Sequence, residues 1–317
     1  TDLNWPEARE ATLRLCQKTD VIVENFRPGT MKTFGLDYET VRQENPSVVY
    51  VSMSGYGQNT PWSTRPAFAP TVQAESGATQ TQLDHFGNDL SRPVTDWASH
   101  ADIYTGLEGA IAALAGLTKC NATGTGLHGD VSMMATMLAV NERLHAQINE
   151  LDAADEPLAL GAPESPIFKV ADGSLVTIAA SPISSGVFMR YCGMMGRNDL
   201  RTDSRFLTAS LRRENLNALL TEIQNWMRSF RSFEELEHQV SGAGGLAVGK
   251  VRTAANLLDT DWAQAADPTY TSLVGDLEIR LPKGPWLFDG EDTGSLSAAV
   301  PKGANNREVL YLSLIHI

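Results

Sequence analysis

Hydrophobic and polar positions follow two periods along this chain, short β-branched runs and longer helical repeats. Pro6–Lys18 reads as a helix: proline sits in its first turn, and Ala8, Ala11, Leu15 and Cys16 share a face. Asp20 turns into Val21-Ile22-Val23, a run suited to a buried parallel strand. Asn25-Phe26-Arg27-Pro28-Gly29 breaks that strand, and short helices are expected at Met31–Phe34 and Tyr38–Glu44, before Pro46. Val48–Met53 is a second apolar strand running into the small-residue loop Ser54-Gly55-Tyr56-Gly57-Gln58. Alternation of strand, loop and helix predicts an α/β layer with a parallel sheet, whose sites lie beyond the carboxyl ends of the strands. Both loops occupy that position.

Gln80–Arg92 is polar and reads as a surface loop. A strong helix opens at Asp102: Ile103, Leu107, Ile111, Leu114 and Leu117 recur at helical spacing, and the glycines and alanines between them imply close packing against another backbone. Gly124-Thr125-Gly126 marks a turn before a second long helix, Val131–Leu144, whose Met133, Met134 and Met137 read as packing residues. The character changes near Asp152. The expected organisation is a large α/β domain over 1–145, a linker at 146–166, a smaller α+β domain over 167–270 and a return to the large domain over 271–311. Within the smaller domain, Ile167–Val170 and Leu175–Ile178 flank Ala171-Asp172-Gly173-Ser174, a hairpin signal. Helices are expected at Val187–Met195, Leu211–Ser229 and Phe233–Val240, and a strand at Glu278–Leu281. The chain opens without an initiator Met, and Leu312–Ile317 match a translated sequencing adapter. The first are read as a start within a longer gene product and the last as an adapter-derived scar.

Composition narrows the function classes. The chain has 317 residues, 42% of them hydrophobic, enough for a substantial core. Its net charge of −13, without any basic run, argues against a nucleic-acid partner. No apolar run approaches the ~20 residues a membrane helix needs. Cys16, Cys120 and Cys192 are widely spaced and form no CxxC pair, which fits a reduced, cytoplasmic setting. No HExxH motif or clustered His/Cys spacing suggests a metal. An acidic chain can still bind an anion through backbone N–H groups and a few local cations.

Several segments, in order, resemble the family III CoA-transferases (CaiB/BaiF-like). That group includes formyl-CoA transferase, carnitine CoA-transferase and α-methylacyl-CoA racemase. The segments are Asp20–Gly29, Asn45-Pro46 through Gln58, Arg65-Pro66-Ala67-Phe68, Gly124-Thr125-Gly126 through Asp130-Val131-Ser132, and Asp199-Leu200 through Arg205-Phe206 with Arg213 and Asn215. The likeness runs from Thr1 to about Leu310. It implies a Rossmann-like large domain, a smaller α+β domain, an interlocked homodimer when full length, and a family N-terminus that precedes Thr1. It also implies a CoA-transferase acting on an acyl-CoA and a free carboxylic acid, with coenzyme A as substrate and no metal.

By the same resemblance Asp102, within Asp102-Ile103-Tyr104-Thr105-Gly106-Leu107, matches the nucleophilic aspartate that forms an aspartyl-CoA thioester. From local chemistry alone, an Asp opening a helix is a favoured N-cap, and the two roles are compatible because a helix N-terminus favours an ionised carboxylate. Asn25, Phe26 and Arg27 are candidate CoA contacts, by hydrogen bonding, stacking and phosphate pairing, against the alternative of an ordinary strand-end turn. Lys32 is a further phosphate candidate or a plain surface lysine. Oxyanion donors are expected near Gly55, Gly57 and the Gly161 region. Phe68 lines the candidate site and, with Ala69, stands where the racemase branch carries a His-Asp pair; the departure argues for transfer over racemisation. Racemase or isomerase activity, and a non-catalytic CoA-binding half of a tandem protein, are the alternatives. His100 either tunes Asp102 or is an ordinary loop histidine.

Overall fold

The computed structural model describes residues 2–80, 98–141, 148, 167–274, 277–292, 300, 301 and 303–309. The linker at 146–166 apart from residue 148, the Gly161 region, nearly all of the loop at 80–92 and the adapter-like end lie outside the described residues. The chain divides into two compact units, residues 1–144 with 301–317, and residues 145–300.

The first unit is built on three parallel strands in the order β1 (Val21–Glu24), β2 (Val49–Ser54), β3 (Leu127–Ser132). The valine-rich β2 is central because both of its faces are covered. On one face Val48 and Tyr50 pack with Cys16, Leu36 and Val41, beneath α1 (Pro6–Cys16), α2 (Thr30–Thr33) and α3 (Tyr38–Glu44). Tyr50 donates its hydroxyl to Leu36 O at 2.8 Å, and burial together with nearby Glu24 pushes that phenol well above its ordinary range. Asn45, in the Asn-Pro motif, ties the layer together. Its buried Nδ2 donates to Cys16 O (3.0 Å) and Thr19 O (2.9 Å), closing the end of α1 against the start of β2.

The other face carries α4 (Ala69–Glu75), the long α5 (His100–Thr123) and α6 (Met133–Ala139). Helix α5 meets β2 through glycine. A Cβ at Gly109 would stand 2.6 Å from Met53 Sδ, and one at Gly116 only 2.4 Å from Val49 Cγ1. The small residues face the sheet, as close packing against a backbone requires, while Ile103, Leu107, Ile111 and Leu114 are all more than half exposed. Gly124, in the left-handed region at φ 70°, ends the helix.

Some elements of this unit differ from expectation. The helix expected from Val131 begins at Met133, because Leu127–Ser132 is drawn into the sheet as β3 in register with β2. Helix α4 was not among the expected elements; it starts at a proline-bearing first turn, with the Phe68 N–H held by Thr71 Oγ1 at 3.1 Å.

The second unit holds an antiparallel sheet, β4 (Ile167–Lys169), β5 (Leu175–Ile178), β6 (Val248–Lys250). The expected Asp-Gly turn joins the first two strands, with Gly173 at φ 88°. The sheet packs on α7 (Ser185–Met195), α8 (Ala209–Glu214), α9 (Leu216–Met227) and α10 (Phe233–Glu237) around Phe188, Tyr191, Phe206, Leu219, Ile223 and Leu236. The helix expected over Leu211–Ser229 is broken at Asn215, whose Nδ2 turns back to Leu211 O at 2.9 Å. Buried Arg212 donates to Ile183 O (2.7 Å), Phe206 O (2.9 Å) and Ser185 Oγ (2.8 Å), joining three segments. Helices α11 (Ala254–Leu258) and α12 (Asp261–Ala266) lead to the hairpin β7 (Thr269–Val274) and β8 (Leu277–Pro282), then β9 (Leu287–Phe288) and β10 (Glu291–Asp292). The second unit runs to Val300, so the strand expected at Glu278–Leu281 belongs to it.

Candidate active site

The parallel register levels the strand ends: Glu24 pairs with Ser52, and Ser52 with Asp130. The turns after β1 and β2 therefore leave the sheet at the same edge. Helix α5 runs antiparallel to β2, since Gly116 lies over Val49 and Gly109 over Met53. Asp102 is seven residues before Gly109. At 1.5 Å per residue it stands about 10 Å beyond Met53 along the helix axis, on the side of those turns.

The helix begins at His100, so Asp102 is its third residue and not its cap. Ser99 holds the cap position without a side-chain cap bond. The Asp102 carboxylate is exposed and has no side-chain partner among the described residues, and it sits at the positive end of the helix macrodipole. The neighbouring backbone is firmly held. Buried Gln73 on α4 accepts the Ala101 N–H at 3.3 Å, meeting one orphan donor of the helix end. His100 stacks on Tyr104 at 5.4 Å with near-parallel rings. Tyr104 packs in turn against the cluster of Tyr56, Ala69, Val72, Ala101, Met133 and Met137. Through Tyr56 that cluster joins the start of α5 to the loop after β2.

Within that loop Gly55 allows a backbone approach no other residue could match, because its Cβ would fall 2.0 Å from the Ala67 Cβ. Gly57 is at φ 88°, and its N–H donates to Ser54 Oγ at 3.1 Å. The Gly57 donor is thus committed within the loop and is not free for an oxyanion. Gln58 N–H donates to Asp130 Oδ2 at 3.0 Å, while its side-chain Nε2 is buried without a hydrogen-bond partner among the described residues. Phe68, at the mouth of α4, is 71% exposed. Ala69 beside it is buried in the apolar cluster, so no proton-transfer group stands at that position.

At the end of β1, Asn25, Phe26 and Arg27 are all exposed, and the turn is closed by Phe26 N–H donating to the buried Glu24 Oε2 at 2.9 Å. Gly29, at φ 87°, leads into α2, where Lys32 is exposed. An aromatic ring, an amide and a cation are therefore open on the turn, with Lys32 a second exposed cation on the helix that follows, the inventory that suits an adenine-bearing phosphate ester. The structure brings the candidates to one sheet edge as two groups: Asn25, Phe26, Arg27 and Lys32 after β1, and Gly55, Gly57, Phe68 and Asp102 around the apolar cluster. Sequence reasoning missed Gln73, Glu24 and Asp130. The two carboxylates lay inside recognised motifs; the contact of Asp130 with Gln58 depends on strand register, whereas Glu24 closes its own turn on Phe26 two residues on. Among the described residues no cluster of His, Cys, Asp and Glu could hold a metal, and no helix is long and apolar enough to cross a membrane.

The family model for CoA-transferase family III matches residues 1–306. The chain belongs to that family. It is 34% identical over 223 residues to an acyl-CoA transferase of Fusarium pseudograminearum, covering 68% of this chain and 47% of that protein. It is 30% identical over 216 residues to succinate–glutarate CoA-transferase of Agrobacterium fabrum, covering 67% and 52%. The chain thus spans about half the length of these relatives. A solved structure of Rv3272 from Mycobacterium tuberculosis superposes with a TM-score of 0.75 at 25% identity, covering 93% of this chain and 78% of that one. A CaiB/BaiF family protein from Brucella suis gives 0.71 at 27%, covering 98% and 80%. This family III chain therefore has the α/β fold, with its parallel sheet, that the motifs implied.

Proposed function

We propose that this protein transfers CoA from an acyl-CoA to a free carboxylic acid through an aspartyl-CoA thioester on Asp102. The observation that carries the reading is an exposed carboxylate, free of side-chain partners among the described residues, at a helix N-terminus beyond the strand ends. The Asp102 carboxylate attacks the thioester carbon, and the tetrahedral oxyanion collapses to expel CoA thiolate and leave a mixed anhydride. The thiolate attacks the Asp102 carbonyl carbon, releasing the donor carboxylate and leaving the aspartyl-CoA thioester. An acceptor carboxylate attacks that thioester, thiolate departs, and its return to the acceptor acyl carbon regenerates Asp102. Overall one thioester is exchanged for another, and covalent capture on Asp102 splits that exchange into easier steps. Asn25, Phe26, Arg27 and Lys32 hold the nucleotide end of CoA, and Phe68 lines the site beside the reacting carbonyl.

Names of relatives support the class of reaction: they include the succinate–glutarate enzyme and an acetyl-CoA:oxalate CoA-transferase of Acetobacter aceti, 28% identical over 306 residues. The buried Ala69 supports transfer over racemisation. The test is intact-protein mass spectrometry after incubation with a panel of acyl-CoA thioesters. The expected result is a CoA-bearing adduct, discharged by hydroxylamine and absent from Asp102→Ala. An adduct surviving in Asp102→Ala would overturn the role of that residue. Deuterium wash-in at the substrate α-carbon without CoA exchange would establish a racemase instead.

A further inference from the structure

Glu24, Ser52 and Asp130 form one rung across the three parallel strands. Side chains alternate along a strand, so the rung lies on the face of Tyr50 and opposite α5. Its middle member, Ser52, is buried and bonded to His128 Nε2 at 2.9 Å. Its outer members each accept a backbone N–H from a loop at the site: Glu24 from Phe26 at 2.9 Å, in the loop after its own strand, and Asp130 from Gln58 at 3.0 Å, in the loop after the neighbouring strand. In the next rung, Ser54 Oγ holds Gly57 N–H at 3.1 Å. Neither carboxylate forms an ion pair among the described residues. Glu24 is buried, where a carboxylate is a costly way to close a turn, while Asp130 is exposed; in both, a carboxylate oxygen fixes a turn's N–H more tightly than a neutral acceptor does.

We propose that Glu24 and Asp130 are separate positioning residues for the two halves of the site, Glu24 for CoA binding and Asp130 for the chemical step. The inference rests on the CoA-transferase reading above. Glu24 sets the turn that presents Asn25, Phe26 and Arg27, groups distant from the reacting carbon whose contacts are the same in ground and transition states. Loss of such contacts raises KM and spares kcat. Asp130 sets the Gly57-Gln58 turn, which shares the Tyr56 cluster with the start of α5 and carries the uncommitted Gln58 Nε2 donor. A shift there displaces groups beside the thioester carbonyl and lowers kcat.

The test is steady-state kinetics with a competent acyl-CoA and acceptor acid, together with CoA-thioester binding measured calorimetrically in the Asp102→Ala background. Glu24→Ala should raise KM for the acyl-CoA by about 10-fold or more, with kcat within about twofold, and weaken binding in the Asp102→Ala background to match. Asp130→Ala should lower kcat by about 10-fold with KM and binding nearly unchanged. Glu24→Gln and Asp130→Asn keep an acceptor oxygen and should recover most of each loss. Glu24→Asp withdraws the oxygen by one methylene and supplies a milder variant should Glu24→Ala fail to fold. Equal losses in KM and kcat for both residues, or alanine variants with wild-type constants, would overturn the division of labour. If Asp102→Ala retains turnover, the transferase mechanism falls, and the calorimetric comparison still decides whether Glu24 sets the binding turn.

Discussion

Replacing Gly116 by alanine tests the placement of α5, and with it the position of Asp102. The new Cβ would stand 2.4 Å from Val49 Cγ1, 3.1 Å from Cγ2 and 3.3 Å from Val49 Cβ. Carbon atoms pack at about 3.5–4.0 Å, so the nearest contact is short by more than about 1 Å. Rotating Val49 does not relieve it, because its own Cβ is among the close atoms and the residue is fully buried in the central strand. Overpacking of this kind costs about 1–3 kcal/mol, and three close atoms on one immobile side chain place Gly116→Ala in the upper part of that range. Helix propensity returns about 1 kcal/mol, leaving a net loss of about 1–2 kcal/mol. Gly106→Ala is the internal control: it lies in the same helix, is exposed, and its Cβ would meet nothing within 4 Å. It should stabilise by about 1 kcal/mol. Urea unfolding followed by circular dichroism should therefore separate the two variants by about 2–3 kcal/mol. If they unfold alike, α5 does not rest on β2 through Gly116. The relation between Asp102 and the strand-end loops would then lose its geometric basis.

Two further predictions concern the second unit. Arg212→Lys should cost about 3 kcal/mol in urea unfolding, because one ammonium cannot reach the separated acceptors of Ile183, Phe206 and Ser185 and buried acceptors are left unmet; a loss under about 1 kcal/mol would contradict the assigned network. Arg205, at 2.7 Å, pulls the Asp203 carboxyl from its ordinary 3.8 down to about 2. The depressed value means the folded state binds fewer protons than the unfolded one in this window, so the contribution is present above 3.8 and fades as pH falls through about 2. Asp203→Asn should flatten the acid side of the stability profile over that interval. An unchanged slope of urea midpoint against pH would refute the pairing.

By itself the sequence determined the strands whose residues are apolar on both sides. Val21-Ile22-Val23 and Val48–Met53 are almost wholly apolar, so both were legible as parallel strands; β2 is buried as expected, but β1 lies at the sheet edge with Val23 54% exposed. It determined the Asp172-Gly173 turn, which needs a residue tolerant of positive φ, and the family, through motifs kept in order. Periodicity located α5 but could not say which face turns inward. The large residues at Ile103, Leu107, Ile111 and Leu114 share a stripe, yet the glycine side lies on the sheet, because only glycine lets the helix backbone approach Val49 and Met53. Leu127–Ser132 was illegible as a strand because its polar alternation becomes extended only by pairing with β2. The contact of Asp130 with Gln58 was hidden for the same reason. A carboxylate's partner across a sheet is set by register, and register exists only once the strands have met.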